Sequence, residues 1–182
     1  MIIIRDSRPT DAAAIASVHV DSWRSAYAGL LPDKLLIDMC KKSQTARWAR
    51  AIGGGDGSQT VLVADIPTVG VVGFGNCGPA RSKRLRHAGE VYMLYVRPEH
   101  QDRGIGRKLL YRLFDSLVVR GMTSAVVWVL AENPSRFFYE TMGGRCVAER
   151  TGSQWDADLR EAAYGWDDLA HVRHRSDARK AR

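Results

Sequence analysis

Gly104 and Gly106 stand immediately before a stripe of apolar residues, Ile105, Leu109, Leu110, Leu113, Phe114 and Leu117, that recurs at helical spacing. Arg107, Lys108, Arg112 and Asp115 fall mostly on the opposite face, and Gly121 is a natural stop. The glycines therefore open a helix, where unpaired backbone N–H groups point outward and the helix dipole is positive. Without side chains at these positions a phosphate can come close to the backbone, so the stretch is an anion cradle in its physics. A P-loop would put Lys-Ser/Thr after the last glycine, but Arg107, Lys108 and Leu109 follow. A dinucleotide fingerprint would have a third glycine where Leu109 stands, and its first glycine directly after the strand, where residues 98–103 intervene. Glu132 does stand where a ribose-binding acid would be, and a plain tight turn also stays open at this point.

Other chemistries find less support. The chain has no Cys-x-x-Cys pair and no histidine pair at ligand spacing, so no metal site is expected. Its three cysteines, Cys40, Cys77 and Cys146, are scattered and odd in number, which points to reduced thiols and a cytoplasmic protein. The net charge of +7 is partly a basic tail over residues 171–182 and partly a cluster of Arg81, Lys83, Arg84, Arg86 and His87. Neither cluster is interleaved with aromatics, so nucleic acid is not an expected partner. No apolar run approaches the ~18 residues of a membrane span, so no membrane partner is expected either.

The elements that must hold the cradle follow from pattern and punctuation. A first strand is expected over residues 2–5, then a helix with Pro9 at its start and Ile15, Val18, His19, Trp23 and Tyr27 along one face. Pro32 opens a second helix, and Ser43 is expected to cap a third that holds Trp48 and Ile52. Residues 60–64 and 69–76 read as a hairpin, 90–96 as the central strand and 124–130 as a buried strand. A short helix over 135–142 precedes a closing pair of strands, 145–150 and 159–166. His19 reads as a packed histidine and His100 as an exposed one. The order predicts a single α/β domain over residues 1–170 with a mixed sheet.

The pattern Gln101-x-x-Gly104-x-Gly106, after Leu94-Tyr95-Val96-x-Pro98, resembles the acetyl-CoA signature of the GNAT superfamily of N-acetyltransferases. The block Asn133-Pro134-Ser135-Arg136-Phe137-Phe138-Tyr139, with Gly143 and Gly144 beyond it, resembles that family's second motif, in the family's order and at its spacing. The resemblance implies a mostly antiparallel, mixed central sheet flanked by helices, and transfer of an acetyl group from acetyl-CoA to a primary amine in a ternary complex. It implies that Gln101 belongs to the cofactor-binding loop and that the backbone N–H groups of Asp102, Arg103, Gly104, Ile105, Gly106 and Arg107 hold the pyrophosphate, with Arg103 and Arg107 adding charge. Leu94, Tyr95 and Val96 would splay from the next strand and pair with the pantetheine arm, and Asn133 would reach the sulfur region. By the same resemblance Glu90 is the base, Tyr139 the proton donor to the thiolate, and Trp23, Arg24 and Tyr27 line the acceptor pocket. The acceptor is a small-molecule or peptide amine, and a homodimer is left open. The basic cluster at 81–87 is expected to border the acceptor mouth and to favour acceptors with an acidic group. The rival readings are an acyl-CoA-binding sensor without turnover and a nucleic-acid-associated protein.

Overall fold

The computed structural model describes residues 1–54, 56–154 and 157–172. Seven strands form one sheet in the order β1-β2-β3-β4-β5-β7-β6. They are β1 (Ile3–Asp6), β2 (Thr60–Ile66), β3 (Gly70–Pro79), β4 (Gly89–Val96), β5 (Ala125–Leu130), β6 (Arg145–Gln154) and β7 (Ala157–Trp166). Every neighbouring pair is antiparallel except β4 and β5. The helices are α1 (Ala12–Tyr27), α2 (Asp33–Asp38), α3 (Lys41–Gly53), α4 (Ile105–Val119) and α5 (Ser135–Thr141).

Two apolar layers sandwich the sheet. On one face α1 and α3 bring Ile15, Val18 and Trp48 against Val61, Val63, Val71 and Phe74. On the other, α4 lays Leu109, Leu110, Leu113, Phe114 and Leu117 over Leu62, Val72, Val91, Ala125 and Val127. The ridge Leu109–Leu113–Leu117, one residue per turn, settles into a channel of small residues. An added Cβ would come within 3.3 Å of Leu109 at Gly73, 2.7 Å of Leu113 at Gly75 and 2.9 Å of Leu117 at Gly89.

β4 carries an irregularity that sets its chemistry. Asn76 pairs with Met93 while the next residue, Cys77, pairs with Val91, so Tyr92 is extra. The bulge inverts the alternation: Val91, Leu94 and Val96 pack on the α4 side, whereas Met93 and Tyr95 pack on the α1–α3 side. Glu90, next to Val91, is thereby turned to the α1–α3 side.

Some expectations are corrected. Cys40, not Ser43, is the N-cap of α3: the Ser43 N–H donates to Cys40 Sγ at 3.4 Å, and the Ser43 hydroxyl donates back to the Cys40 carbonyl at 3.0 Å. The closing strands are longer than the apolar pattern indicated, because β6 and β7 run on as a hairpin past the end of β5. His100 is half-buried rather than exposed. Leu169 is fully buried and Val172 still packs on the α4 core, while residues 173–182 of the basic tail lie outside the described residues.

Candidate active site

The β4–β5 pairing stops early. Gly89, Glu90 and Val91 pair with Ala125, Val126 and Val127, and beyond them the strands separate. β4 stays bonded to β3 as far as Val96, so its other edge is open. The gap is the floor of a cleft of about 950 Å³ lined by Leu94, Tyr95 and Val96 from β4 and by Trp128 and Val129 from β5. Open strand edges carry unpaired backbone donors and acceptors, and an extended ligand can complete them.

The glycine cradle closes one end of this cleft. Gly104 is the N-cap of α4 in the left-handed conformation, φ +72°, and Asp102 adopts φ +58°, a region that Asp tolerates better than most residues. The first helical bond runs from the Lys108 N–H to the Gly104 carbonyl, so the N–H groups of Ile105, Gly106 and Arg107 are without helical partners. Gln101, Asp102, Gly104, Ile105, Gly106 and Arg107 all line the cleft. The Gln101 side chain donates to the Val96 carbonyl at 3.0 Å and so ties the loop to the end of β4. A Cβ at Gly106 would meet only the Phe138 ring, at 3.4 Å, and one at Gly104 only the Arg107 guanidinium, at 3.9 Å. The room above these glycines is therefore cleft volume, and the donor set fits a pyrophosphate.

At the other end hydroxyls gather from both faces of the sheet. Tyr139 of α5 comes from the α4 side, whereas Tyr27 of α1 and Tyr95 of β4 come from the other, and all line the cleft. The Tyr27 and Tyr95 hydroxyls are 3.3 Å apart. Burial pushes the Tyr139 phenol well above the usual tyrosine value, with a smaller push from Tyr27. Burial raises Tyr95 and Tyr27 as well. These groups stay protonated at neutral pH and are donors there. Asn133 is buried, and its Oδ1 accepts the Ser135 N–H at 2.8 Å, which fixes the first turn of α5.

Glu90 does not line this cleft. It is 1% exposed and lines a neighbouring cavity of about 610 Å³ together with Arg81, Ser82, Lys83, Arg84, Leu85, Trp128 and β6 residues. Both carboxylate oxygens are engaged by Arg81: Oε2 accepts its backbone N–H at 2.8 Å, and Oε1 accepts its guanidinium. Trp128 lines both cavities.

Other expected site residues are placed elsewhere. The Arg24 guanidinium donates to the carbonyls of Leu36 (3.0 Å) and Met39 (3.1 Å), fastening α1 to the end of α2. Trp23 packs on Tyr27 at 4.4 Å between ring centroids and does not line the cleft. Arg103 is exposed and also outside the lining. The basic cluster divides: Arg81, Lys83 and Arg84 line the smaller cavity, whereas Arg86 and His87 turn to Asp167, at 3.0 and 3.3 Å. Trp128, Tyr92, Ser22 and Met142, which the motifs do not mark as site residues, also line the cleft, as does Phe138 of the second motif. For Trp128 a signal existed in the sequence, a lone aromatic within the valine run of a buried strand.

Residues 79–152 match the family model described as FR47-like protein. The chain is 34% identical over 174 residues to the uncharacterized N-acetyltransferase YuaI of Bacillus subtilis, covering 95% of this chain and 97% of that protein. It is 31% identical to the L-amino acid N-acyltransferase MnaT of Escherichia coli, covering 77% of each. Its fold is that of yncA of Salmonella typhimurium, solved with its cofactor acetyl-CoA, with a TM-score of 0.67 at 24% identity over 93% of this chain and 94% of that one. With a glycine cradle at the head of α4, a sheet split between β4 and β5, and a near full-length relative at this identity, the chain belongs to the GNAT superfamily and is an N-acetyltransferase.

Proposed function

We propose that the protein binds acetyl-CoA in the larger cleft and passes its acetyl group directly to a primary amine that enters from the smaller cavity. The observation that carries this reading is the early end of the β4–β5 pairing, which leaves one opening between a cradle on the α4 side and a charged cavity beside Trp128. The N–H groups of Ile105, Gly106 and Arg107 hold the pyrophosphate, with the Arg107 guanidinium beside them. The open edge of β4 pairs with the pantetheine arm, and a free N–H there faces the thioester oxygen. Glu90 takes one proton from the ammonium, directly or through water, and the free amine nitrogen bonds to the carbonyl carbon. The C–S bond breaks with its electron pair on sulfur, the second nitrogen proton leaves as the amide forms, and sulfur gains a proton to become the thiol, with the Tyr139 hydroxyl donating a hydrogen bond to the departing sulfur.

Direct transfer is supported by the cysteines. None lines the cleft, and Cys77, whose thiol is pushed up to about 12 by burial, bonds the Leu113 carbonyl inside the core. All are free thiols, which agrees with a reducing, cytoplasmic setting. Among the described residues no helix is long and apolar enough to cross a membrane.

The test is thiol release from acetyl-CoA across a panel of amines. Intersecting initial-velocity lines with both substrates varied are expected; parallel lines with an acetylated protein intermediate would overturn direct transfer. Binding without turnover on every amine would leave an acyl-CoA sensor. Glu90 also fastens the loop 80–88 through Arg81, and pH separates its two roles. Glu90→Gln should lower kcat/KM mainly at low pH, where the ammonium most needs a base, and recover at high pH. A loss equal at every pH would assign Glu90 to the scaffold alone.

A further inference from the structure

The smaller cavity mixes charges of both signs, and pairing them off leaves a residue of one sign. Arg81 is spent on Glu90. Arg150 donates to Glu161 at 2.6 Å and lies 4.0 Å above the Trp128 ring, and Arg160 answers Glu149 at 3.4 Å. Arg86 and the buried His87 pair with Asp167 instead. Among the described residues Lys83 and Arg84 alone of the lining cations have no ion-pair partner. They project from the loop between β3 and β4, whose base is held by the Arg81–Glu90 pair and by the Tyr92 hydroxyl donating to the Pro79 carbonyl at 2.6 Å. Trp128 lines this cavity together with them and lines the cleft as well.

We infer that this cavity is the acceptor site and that it takes a small amine bearing a carboxylate, gripped by Lys83 and Arg84 while its amine points past Trp128 toward the thioester. The inference rests on the proposed transfer reaction and names its acceptor class. The volume, about 610 Å³, is that of a small-molecule site, and the wall is aromatic and aliphatic along Trp128 and Leu85. Two unneutralised cations beside a low-dielectric wall attract an acid more strongly than they would in open solvent. An uncharged or cationic amine gains nothing from them, so the pair acts through selection rather than through chemistry.

The experiment compares free amino acids with their own carboxamides, alongside amino-carboxylates of increasing chain length from glycine to 6-aminohexanoate, and peptides with an acidic second residue. Wild type should favour the carboxylates, with a preference that shrinks as salt rises. Lys83→Glu with Arg84→Glu should cut kcat/KM for the carboxylates by at least about tenfold, mainly through KM, and spare the carboxamides. Arg86→Glu, at a side chain outside the cavity, should leave the preference intact. Equal losses for acids and amides, a wild-type preference for the amides, or turnover confined to the peptides would each overturn the assignment. If no amine is acetylated, the transfer reading fails separately. Binding of 6-aminohexanoate and glycine to the CoA-saturated protein, followed by NMR shifts of Trp128, then decides the subsite. Binding that the double variant abolishes upholds it, and no binding overturns it.

Discussion

Tyr139 holds its hydroxyl at the point where the sheet is open, and its buried setting decides what that hydroxyl can do. A phenol pushed up by burial is a poor source of a free proton for a thiolate, whose parent thiol lies near ~8.5, but it is a reliable hydrogen-bond donor to developing charge. Tyr139→Phe keeps the ring packed against Phe138 and Trp166 and removes only the donor. It should lower single-turnover transfer on the order of 10²-fold with little change in acetyl-CoA affinity. Transfer within about twofold of wild type, in a variant of unchanged Tm, would remove Tyr139 from the mechanism. His19 carries a different consequence. It is 2% exposed, accepts the Trp48 indole N–H at 3.4 Å and stacks on Tyr95, and burial holds its pKa down to about 4 from 6.5. The unfolded chain therefore binds a proton that the native state refuses between those values. Stability is full above pH 6.5 and falls toward pH 4, by on the order of 3 kcal/mol. Asp11 is held below its usual value by Arg5, so its contribution is lost mostly at lower pH than that of His19. Urea midpoints between pH 7 and pH 4 should fall in wild type and stay flatter in His19→Gln; parallel curves would mean that His19 is not the group.

At the scale of elements, α4 depends on what the strands beneath it lack. Its leucine ridge is legible from the sequence because six apolar residues share one face, but the glycines that receive it lie in two other strands and acquire meaning only once the sheet forms. Gly75→Ala would place a methyl 2.7 Å from Leu113 and 3.1 Å from the Met93 carbonyl. It should cost about 1–3 kcal/mol by overpacking. Gly152→Ala, where a Cβ meets nothing within 4 Å, should be neutral within about 0.5 kcal/mol. Equal Tm values for the two would refute the close fit of α4 on the sheet. The β4 bulge was not legible at all. Residues 91–96 are apolar or aromatic throughout, so their alternation has no phase from which an inserted residue could be noticed. That single residue turns Glu90 toward the smaller cavity. For the same reason the sequence joined Glu90 to the cleft, while the structure gives it to the neighbouring space. Arg24 was misplaced on other grounds: a helix-borne arginine near a pocket looks the same in sequence whether it meets a ligand or the carbonyl end of the next helix.

At the scale of the whole molecule the cradle, the split sheet and the sandwich of helices should behave as one ligand-stabilised unit. The two motif blocks were legible because glycine and asparagine at fixed spacing carry backbone geometry directly. The charge accounting around Lys83 and Arg84 was not, since it needs partners from β6 and β7 far along the chain. A ligand that binds only the native state adds about 2.7 kcal/mol at 100 times its Kd. For a chain of this size that corresponds to a rise in Tm of about 5–10 °C. Acetyl-CoA should produce it, and a substitution at Gly106 should remove it without loosening the fold. Gly106 has ordinary helical geometry, and a Cβ there touches only the Phe138 ring at 3.4 Å, so both Gly106→Ala and Gly106→Asp should fold with Tm values near wild type in the absence of ligand. The alanine methyl intrudes on the space over the N–H groups and should weaken acetyl-CoA binding in part. The aspartate adds a negative charge to the same space and should abolish the Tm shift, because it meets a pyrophosphate with like charge at the positive end of α4. The ordering wild type, then alanine, then aspartate is the signature of an anion held against this backbone. An aspartate variant that folds and keeps the full shift would show that the pyrophosphate lies elsewhere.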